Sequence, residues 1–332
     1  MEATKTYHHQ LALPSNGLVS YIWEEENTIP FDDLIISWNA MRPQYGGFHI
    51  AISVKTESWT PWFLYASWTS AGQRGGMAFP RDVPLKIELD IIELLNGVTA
   101  TGFRIRLEAV DGAVLDEFYF LHACASRPSA LQVEDKAISG PAVDLNVPLV
   151  SQFVLPHPRH RDMCSASSTS AAVSFLLKKN CIDPIFFAIQ ARDEASDIFG
   201  NWVLNMAHAS SIMGKEWCCW VQRLQGFDDI YARLRNGTPV VVSIKGALKG
   251  ALYPYENGHL IVVKGFNPED NKVLCMDPAY PQDIDTNVSY DLKDFLAAWS
   301  RRKYIAYMFT TPVSNCTQNA IDSTPELSHY PK

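Results

Sequence analysis

The chain has 332 residues, 47% hydrophobic and 19% charged, with a formal net charge of -8 at pH 7. That length suits two domains at ~100–200 residues each. The acidic balance argues against a general nucleic-acid or anionic-membrane binder, which would present a basic face. No run of about 18 apolar residues supplies a membrane span. Residues 1–9 lack the apolar centre of a secretory signal, so the cytoplasm is the default expectation, with signal-independent export as the alternative.

Residues 10–127 read as all-β. Strand composition marks 34–40, stopped by Arg42-Pro43, then 47–54, and 62–68, which leads into a glycine-rich turn at Gly72 and Gly75-Gly76. Residues 85–91 alternate with period two and 102–109 follow. Asp111-Gly112 then signals a hairpin whose return strand would be 114–121. Short strands separated by turns predict a β-sandwich or jelly roll over 1–127. Trp38, Trp59, Trp62, Trp68, Tyr45 and Tyr65 concentrate here. They either fill the sandwich core, the simpler expectation, or offer a platform on which sugar rings stack.

Arg127-Pro128 and Gly140-Pro141 mark a linker over 128–145, and from 146 to 312 the pattern changes to α+β. Cys164 opens a helix of small residues reaching 179, with Asp162 as the expected N-cap and Lys178-Lys179-Asn180 as the stop. Helices are also expected at 202–210, 227–235 and 292–299, and strands at 216–221, 239–244, 259–263, 273–276 and 304–309. The polar tail, 313–332, is expected to be weakly ordered.

The seven cysteines are Cys124, Cys164, Cys181, Cys218, Cys219, Cys275 and Cys316. An odd count without framework spacing points to reduced thiols, and the adjacent pair Cys218-Cys219 is not a zinc ribbon. No cofactor or metal is expected. Cys164 stands apart, because unpaired N–H groups and the positive dipole end at a helix start stabilise a thiolate. His259 follows a glycine at the head of an apolar strand, and Asp277 ends the next strand, from which it would fix the tautomer and orientation of the ring. Gln152 would offer a side-chain N–H to an oxyanion, together with the Cys164 N–H. The basic run His157-Pro158-Arg159-His160-Arg161 reads as a solvated loop, or as charge favouring the thiolate. The loop 246–257, containing Tyr253-Pro254-Tyr255, is either a wall or lid of the cleft or an ordinary surface connection.

With these residues in place, the chain resembles a known family. Val147-Pro148-Leu149-Val150-Ser151-Gln152, Cys164-Ser165-Ala166-Ser167, Gly258-His259-Leu260-Ile261-Val262-Val263-Lys264-Gly265-Phe266 and Asp277-Pro278 resemble the C39-like peptidases, a papain-fold group related to the bacteriocin-leader peptidases. Gly200-Asn201-Trp202, with Asn205 and Ala207, and Gly237-Thr238-Pro239-Val240-Val241-Val242 fit that family's spacing, over residues 145–310. Ser37-Trp38-Asn39-Ala40 and Trp59-Thr60-Pro61-Trp62 are similar to a domain that precedes the peptidase in some bacterial members.

The resemblance implies an α+β papain-like cysteine peptidase domain behind an all-β sandwich. It makes Cys164 the nucleophile, His259 the general base and acid, Asp277 the orienting group and Gln152 the oxyanion donor. The implied partners are a peptide or protein substrate, and a glycan or cell-wall ligand on the N-terminal domain. Where the family reads Cys-Gly-Pro-Ala this chain has Cys-Ser-Ala-Ser, and Ser165 and Ala166 are small enough to keep a tight helix start. The alternatives are a catalytically silent scaffold whose sandwich binds glycan or protein, and a thiol-dependent acyltransferase or deamidase.

Overall fold

A computed structural model describes residues 2–11, 17–132, 138–179 and 181–311; the tail expected over 313–332 lies outside the described residues. The first half contains β1 (Thr4–Gln10), β2 (Ser20–Glu25), β3 (Asp33–Ala40), β4 (Gly47–Lys55), β5 (Phe63–Thr69), β6 (Gln73–Ala78), β7 (Leu85–Leu89), β8 (Ile91–Leu94), β9 (Gly102–Val110) and β10 (Phe118–Ser126). Their order is β1-β10-β3-β8-β7-β6-β5-β4-β9-β2. The path folds over at β6, which pairs with β5 on one side and β7 on the other. β3 and β10 therefore face β4 and β5 across an aromatic layer. Trp38 meets Trp68 edge-on at 6.1 Å, and Phe48 meets Phe118 at 5.5 Å. The Tyr65 hydroxyl crosses the same layer, donating to the Asp90 carbonyl (2.8 Å) and accepting the Ile36 N–H (3.1 Å). Trp38, Trp68 and Tyr65 are thus core residues, whereas Trp59 and Trp62 are half-buried beneath the Arg104 guanidinium and Tyr45 is exposed.

Three expectations are corrected here. The Gly72–Gly76 stretch is not only a turn, because Gly75 and Gly76 lie inside β6. A Cβ on Gly75 would sit 2.7 Å from both the Asn201 side chain and the Leu89 carbonyl, so this strand needs glycine to pack. Residues 85–91 are two strands: Leu89 takes φ 60° and reverses the chain into β8, a tight hairpin that the alternation concealed. Asp111-Gly112 does turn the chain, at φ 53° and 84°, but a short 3-10 turn at Leu115–Glu117 follows. β10 then pairs with β1 and β3 instead of returning along β9.

The second half contains β11 (Val143–Asp144), α1 (Cys164–Leu177), α2 (Pro184–Ala191), α3 (Trp202–Met213), β12 (Cys218–Arg223), α4 (Phe227–Arg235), β13 (Val240–Gly246), β14 (Tyr255–Asn267), β15 (Lys272–Met276), β16 (Asn287–Asp291), α5 (Leu292–Ser300) and β17 (Ile305–Thr310). The antiparallel sheet runs β12-β17-β13-β14-β15-β16, with β11 added to β14. Both faces are covered, which is why these strands read as continuous apolar runs. Val241, Leu260, Val262 and Tyr307 join the core that holds α1 and α3, while Val240, Val242, Ile261 and Val263 join the one that holds α4 and α5.

Every residue of α1 from Ser165 to Ser174 is buried, so small side chains let the helix lie close on the sheet. Two of its hydroxyls find partners there: Ser168 donates to the Leu260 carbonyl (2.9 Å) and Ser165 pairs with the Tyr307 hydroxyl (3.0 Å). α2 is a helix that sequence reasoning missed, although Asp183 caps it through the Ile185 N–H (2.8 Å) and Pro184 occupies its first turn. β16 was missed as well.

The two halves meet where β3 lies over β12. The Asn39 amide accepts the Cys219 N–H (3.0 Å) and donates to the Cys219 carbonyl (2.6 Å), and Ser37 Oγ accepts the Val221 N–H (3.0 Å). Arg223 and Asp33 form a buried two-bond pair at 2.9 and 2.7 Å. A single apolar core runs from Leu11 in the first half to Phe309 in the second. No helix among the described residues is long and apolar enough to cross a membrane.

Candidate active site

α1 begins at Cys164 without a side-chain cap. The expected cap, Asp162, belongs instead to a 3-10 turn at His160–Asp162 and pairs with Arg159 (3.0 Å), so Met163 is the N-cap residue and its side chain accepts no first-turn N–H. No carboxylate therefore competes with the thiol for the unpaired N–H groups of the first turn.

β14 brings His259 alongside. It carries a bulge opposite Ile244 and Gly246, and Gly258 sits in that bulge at φ 94°, immediately before the histidine. The left-handed backbone there favours glycine, and a Cβ on Gly258 would meet the Arg302 guanidinium at 1.9 Å, so that side chain would have to move for any other residue.

Asp277 leaves the end of β15 and is fully buried behind His259. Its Oδ1 accepts from His259 Nε2 (2.7 Å) and the Ala279 N–H (3.0 Å), and its Oδ2 accepts from the Tyr255 hydroxyl (2.6 Å) and the Tyr290 hydroxyl (2.7 Å). With Nε2 engaged by Asp277, Nδ1 is the ring nitrogen left for the Cys164 thiol. Tyr255 also stacks on the His259 ring, with centroids 4.2 Å apart and planes 17° apart.

The electrostatics follow from this packing. Burial works to raise the Cys164 thiol, but hydrogen bonding to His259 and its charge, with the Leu260 and Ser165 backbone groups, bring it below the ordinary thiol value. Burial works to lower His259, and the Asp277 carboxylate overcomes it and raises the imidazole. Burial likewise opposes ionisation of Asp277, yet His259, the Tyr255 hydroxyl and the Ala279 N–H hold it below the usual carboxylate range. The three groups thus favour a thiolate, an imidazolium and a carboxylate in series. Cys164 itself remains partly exposed at the cleft.

Gln152 is buried on the same cleft, in a 3-10 turn at Gln152–Val154. Its backbone N–H donates to the Pro278 carbonyl (2.9 Å) and its Nε2 to the Arg161 carbonyl (2.7 Å). Ser151 anchors the turn through the Tyr280 carbonyl and through Asp283 Oδ1 (2.7 Å). The segment that carries Gln152 is therefore fastened to the loop following Asp277, and an amide nitrogen has a second hydrogen to give.

The cleft, about 920 Å³, is lined by Gln152, Cys164 and His259, so the structure brings the sequence candidates together, with Asp277 behind the histidine. Within the basic run, Arg159 is paired with Asp162 and Asp197, while Arg161 lies over the Phe153 ring. Residues 253–258 form one wall, as the wall-or-lid expectation allowed, but Tyr255 already belongs to β14.

Two features escaped the sequence. One is the tyrosine pair on Asp277. Tyr255 falls where a loop, cleft wall or surface connection, was expected, and Tyr290 arrives on the missed strand β16. The other is the opposite wall, which comes from the first half: the β7–β8 hairpin puts Lys86, Glu88, Asp90, Ile91 and Glu93 on the cleft. Asp90 accepts the Trp202 N–H at the start of α3 (2.8 Å), and its burial outweighs that bond and raises its carboxyl to about 7.

Residues 144–307 match the model of the Peptidase C39 like family, and residues 22–113 match that of the Peptidase C39 N-terminal domain. A crystal structure described as a candidate C39-like peptidase from Bacillus anthracis aligns at 15% identity, covering 52% of this chain and 100% of the other, with a TM-score of 0.39, too loose a likeness to argue from. No curated protein matches the chain at a significant level.

Proposed function

The chain pairs a C39-like peptidase domain with the N-terminal domain of such peptidases, and on that premise we propose that it is a papain-like cysteine peptidase acting through Cys164, His259, Asp277 and Gln152. The observation that carries this reading is the buried series in which Asp277 holds His259 Nε2 at 2.7 Å while the imidazole, at its other nitrogen, lowers the Cys164 thiol.

The Cys164 thiolate attacks the carbonyl carbon of an amide bond, forming an S–C bond and a tetrahedral oxyanion. The second Gln152 Nε2 hydrogen and the Cys164 N–H, unpaired at the first position of α1, donate to that oxyanion. The His259 imidazolium gives its Nδ1 proton to the leaving amine as the C–N bond breaks. His259, now neutral, takes a proton from water as the water attacks the thioester, and the thiolate and imidazolium are restored. Asp277 stays ionised throughout and keeps Nε2 protonated. An antiparallel sheet carrying His259 and Asp277, packed against the helix that carries the thiol, supports the papain-like assignment.

The test is a peptide library digested by the intact protein and read by mass spectrometry. New peptide termini should form with the wild-type protein and disappear with Cys164→Ala and with His259→Ala. Cleavage that persists in Cys164→Ala would overturn the reading.

A further inference from the structure

The carboxylate behind His259 is more heavily bonded than orienting an imidazole requires. Asp277 is fully buried and accepts four hydrogen bonds, and both bonds to Oδ2 come from phenol hydroxyls, Tyr255 (2.6 Å) and Tyr290 (2.7 Å). Each phenol reaches the same oxygen from a different strand, Tyr255 from the start of β14 and Tyr290 from β16. Tyr255 covers one face of the His259 ring as well. Charge-assisted bonds of this kind are the strong ones, and a buried carboxylate oxygen left without them is costly.

We propose that Tyr255 and Tyr290 are positioning residues that act through Asp277, holding it ionised and its Oδ1 aimed at His259, and that this phenol clamp sets the acid limit of the reactive thiol. The proposal rests on the thiol–imidazole reading above. Neither phenol donates to the reacting atoms: their protons are spent on Asp277, and burial with the nearby carboxylate keeps both phenols protonated far above neutral pH. The titratable groups facing Asp277 are His259 and Tyr255 from β14, Tyr290 from β16, Cys275 from β15, and Tyr280 from the loop that follows, with Cys164 of α1 across the imidazole. Among them only His259 brings a positive charge. Without the phenols, Asp277 therefore keeps one cation and the Ala279 N–H as support, and its pKa rises.

The experiment is the pH dependence of Cys164 alkylation by iodoacetamide, followed by mass spectrometry of the Cys164 peptide. It compares the full-length protein, Tyr255→Phe, Tyr290→Phe, the double variant and His259→Ala. Phenylalanine keeps both rings and the stack on His259, so packing is retained while the hydroxyls are removed. The double variant should move the acid limb of the profile upward by about one pH unit or more, and each single variant by part of that. Should the double variant fail to fold, Tyr290→Phe alone decides the matter.

Profiles of the tyrosine variants that overlay the wild type, or move downward, would overturn the proposal while His259→Ala still shifts the thiol. If His259→Ala leaves the profile unmoved, the thiol–imidazole reading falls and the clamp falls with it.

Discussion

At the scale of residues, the proposed reactive group is a charge series more than a cysteine. Asp277 has a lowered pKa and His259 a raised one, so the imidazolium persists as pH rises past its unfolded value, and the thiolate persists as pH falls below the ordinary thiol value. The proposed reactive ion pair therefore holds between the lowered thiol value and the raised imidazole value of about 10, closed on the acid side by protonation of the thiolate and on the alkaline side by loss of the imidazolium proton. Asp277→Asn keeps the shape of the side chain and removes the charge that raises His259. It should slow Cys164 alkylation at pH 6.5 by about tenfold and move the thiol midpoint up by about one unit. An unchanged midpoint would show that Asp277 contributes packing only. Cys164, His259 and Asp277 were legible in the sequence because each sits at an element boundary with a distinctive neighbour: the small-residue helix, Gly258, and Pro278. Tyr255 and Tyr290 were not, since their meaning depends on a bulge in β14 and on pairing with a strand that carried little apolar signal.

At the scale of elements, the β7–β8 hairpin makes the first half part of the cleft. Its tip residue Asp90 is bonded to the start of α3, and its folded pKa of about 7 lies above the unfolded carboxyl value of about 4. The native state then binds more protons than the unfolded state between those values, so stability falls as pH rises through that window. Asp90→Asn can still accept the Trp202 N–H but does not titrate. Thermal unfolding should show the variant gaining a few degrees on the wild type between pH 5 and pH 8. A constant difference across that range would contradict the raised carboxyl. This hairpin was hidden by its own regularity: alternation runs through residues 85–91 without a glycine or proline to betray the reversal at Leu89.

At the scale of the whole molecule, the division into a β-rich first half and an α+β second half could be read from composition, because strand alternation gives way near residue 145 to helical spacing. The contact between the halves could not. Asn39, Ser37 and Asp33 read as ordinary strand residues until β12 lies against them, and only then do Cys219, Val221 and Arg223 find their partners. A core continuous across that contact should unfold as one cooperative unit. Calorimetry of the described chain should give a single transition, and two well-separated transitions would contradict the shared core. We propose that Cys164 is a thiolate poised by His259; Cys181, exposed and with its thiol raised by partial desolvation, is the control within the same molecule. Brief iodoacetamide labelling at pH 6.5, quantified at both cysteines by mass spectrometry, should modify Cys164 at least about tenfold faster than Cys181, with that preference lost in His259→Ala. Equal labelling of the two thiols, or a Cys164 preference that survives removal of His259, would contradict the account.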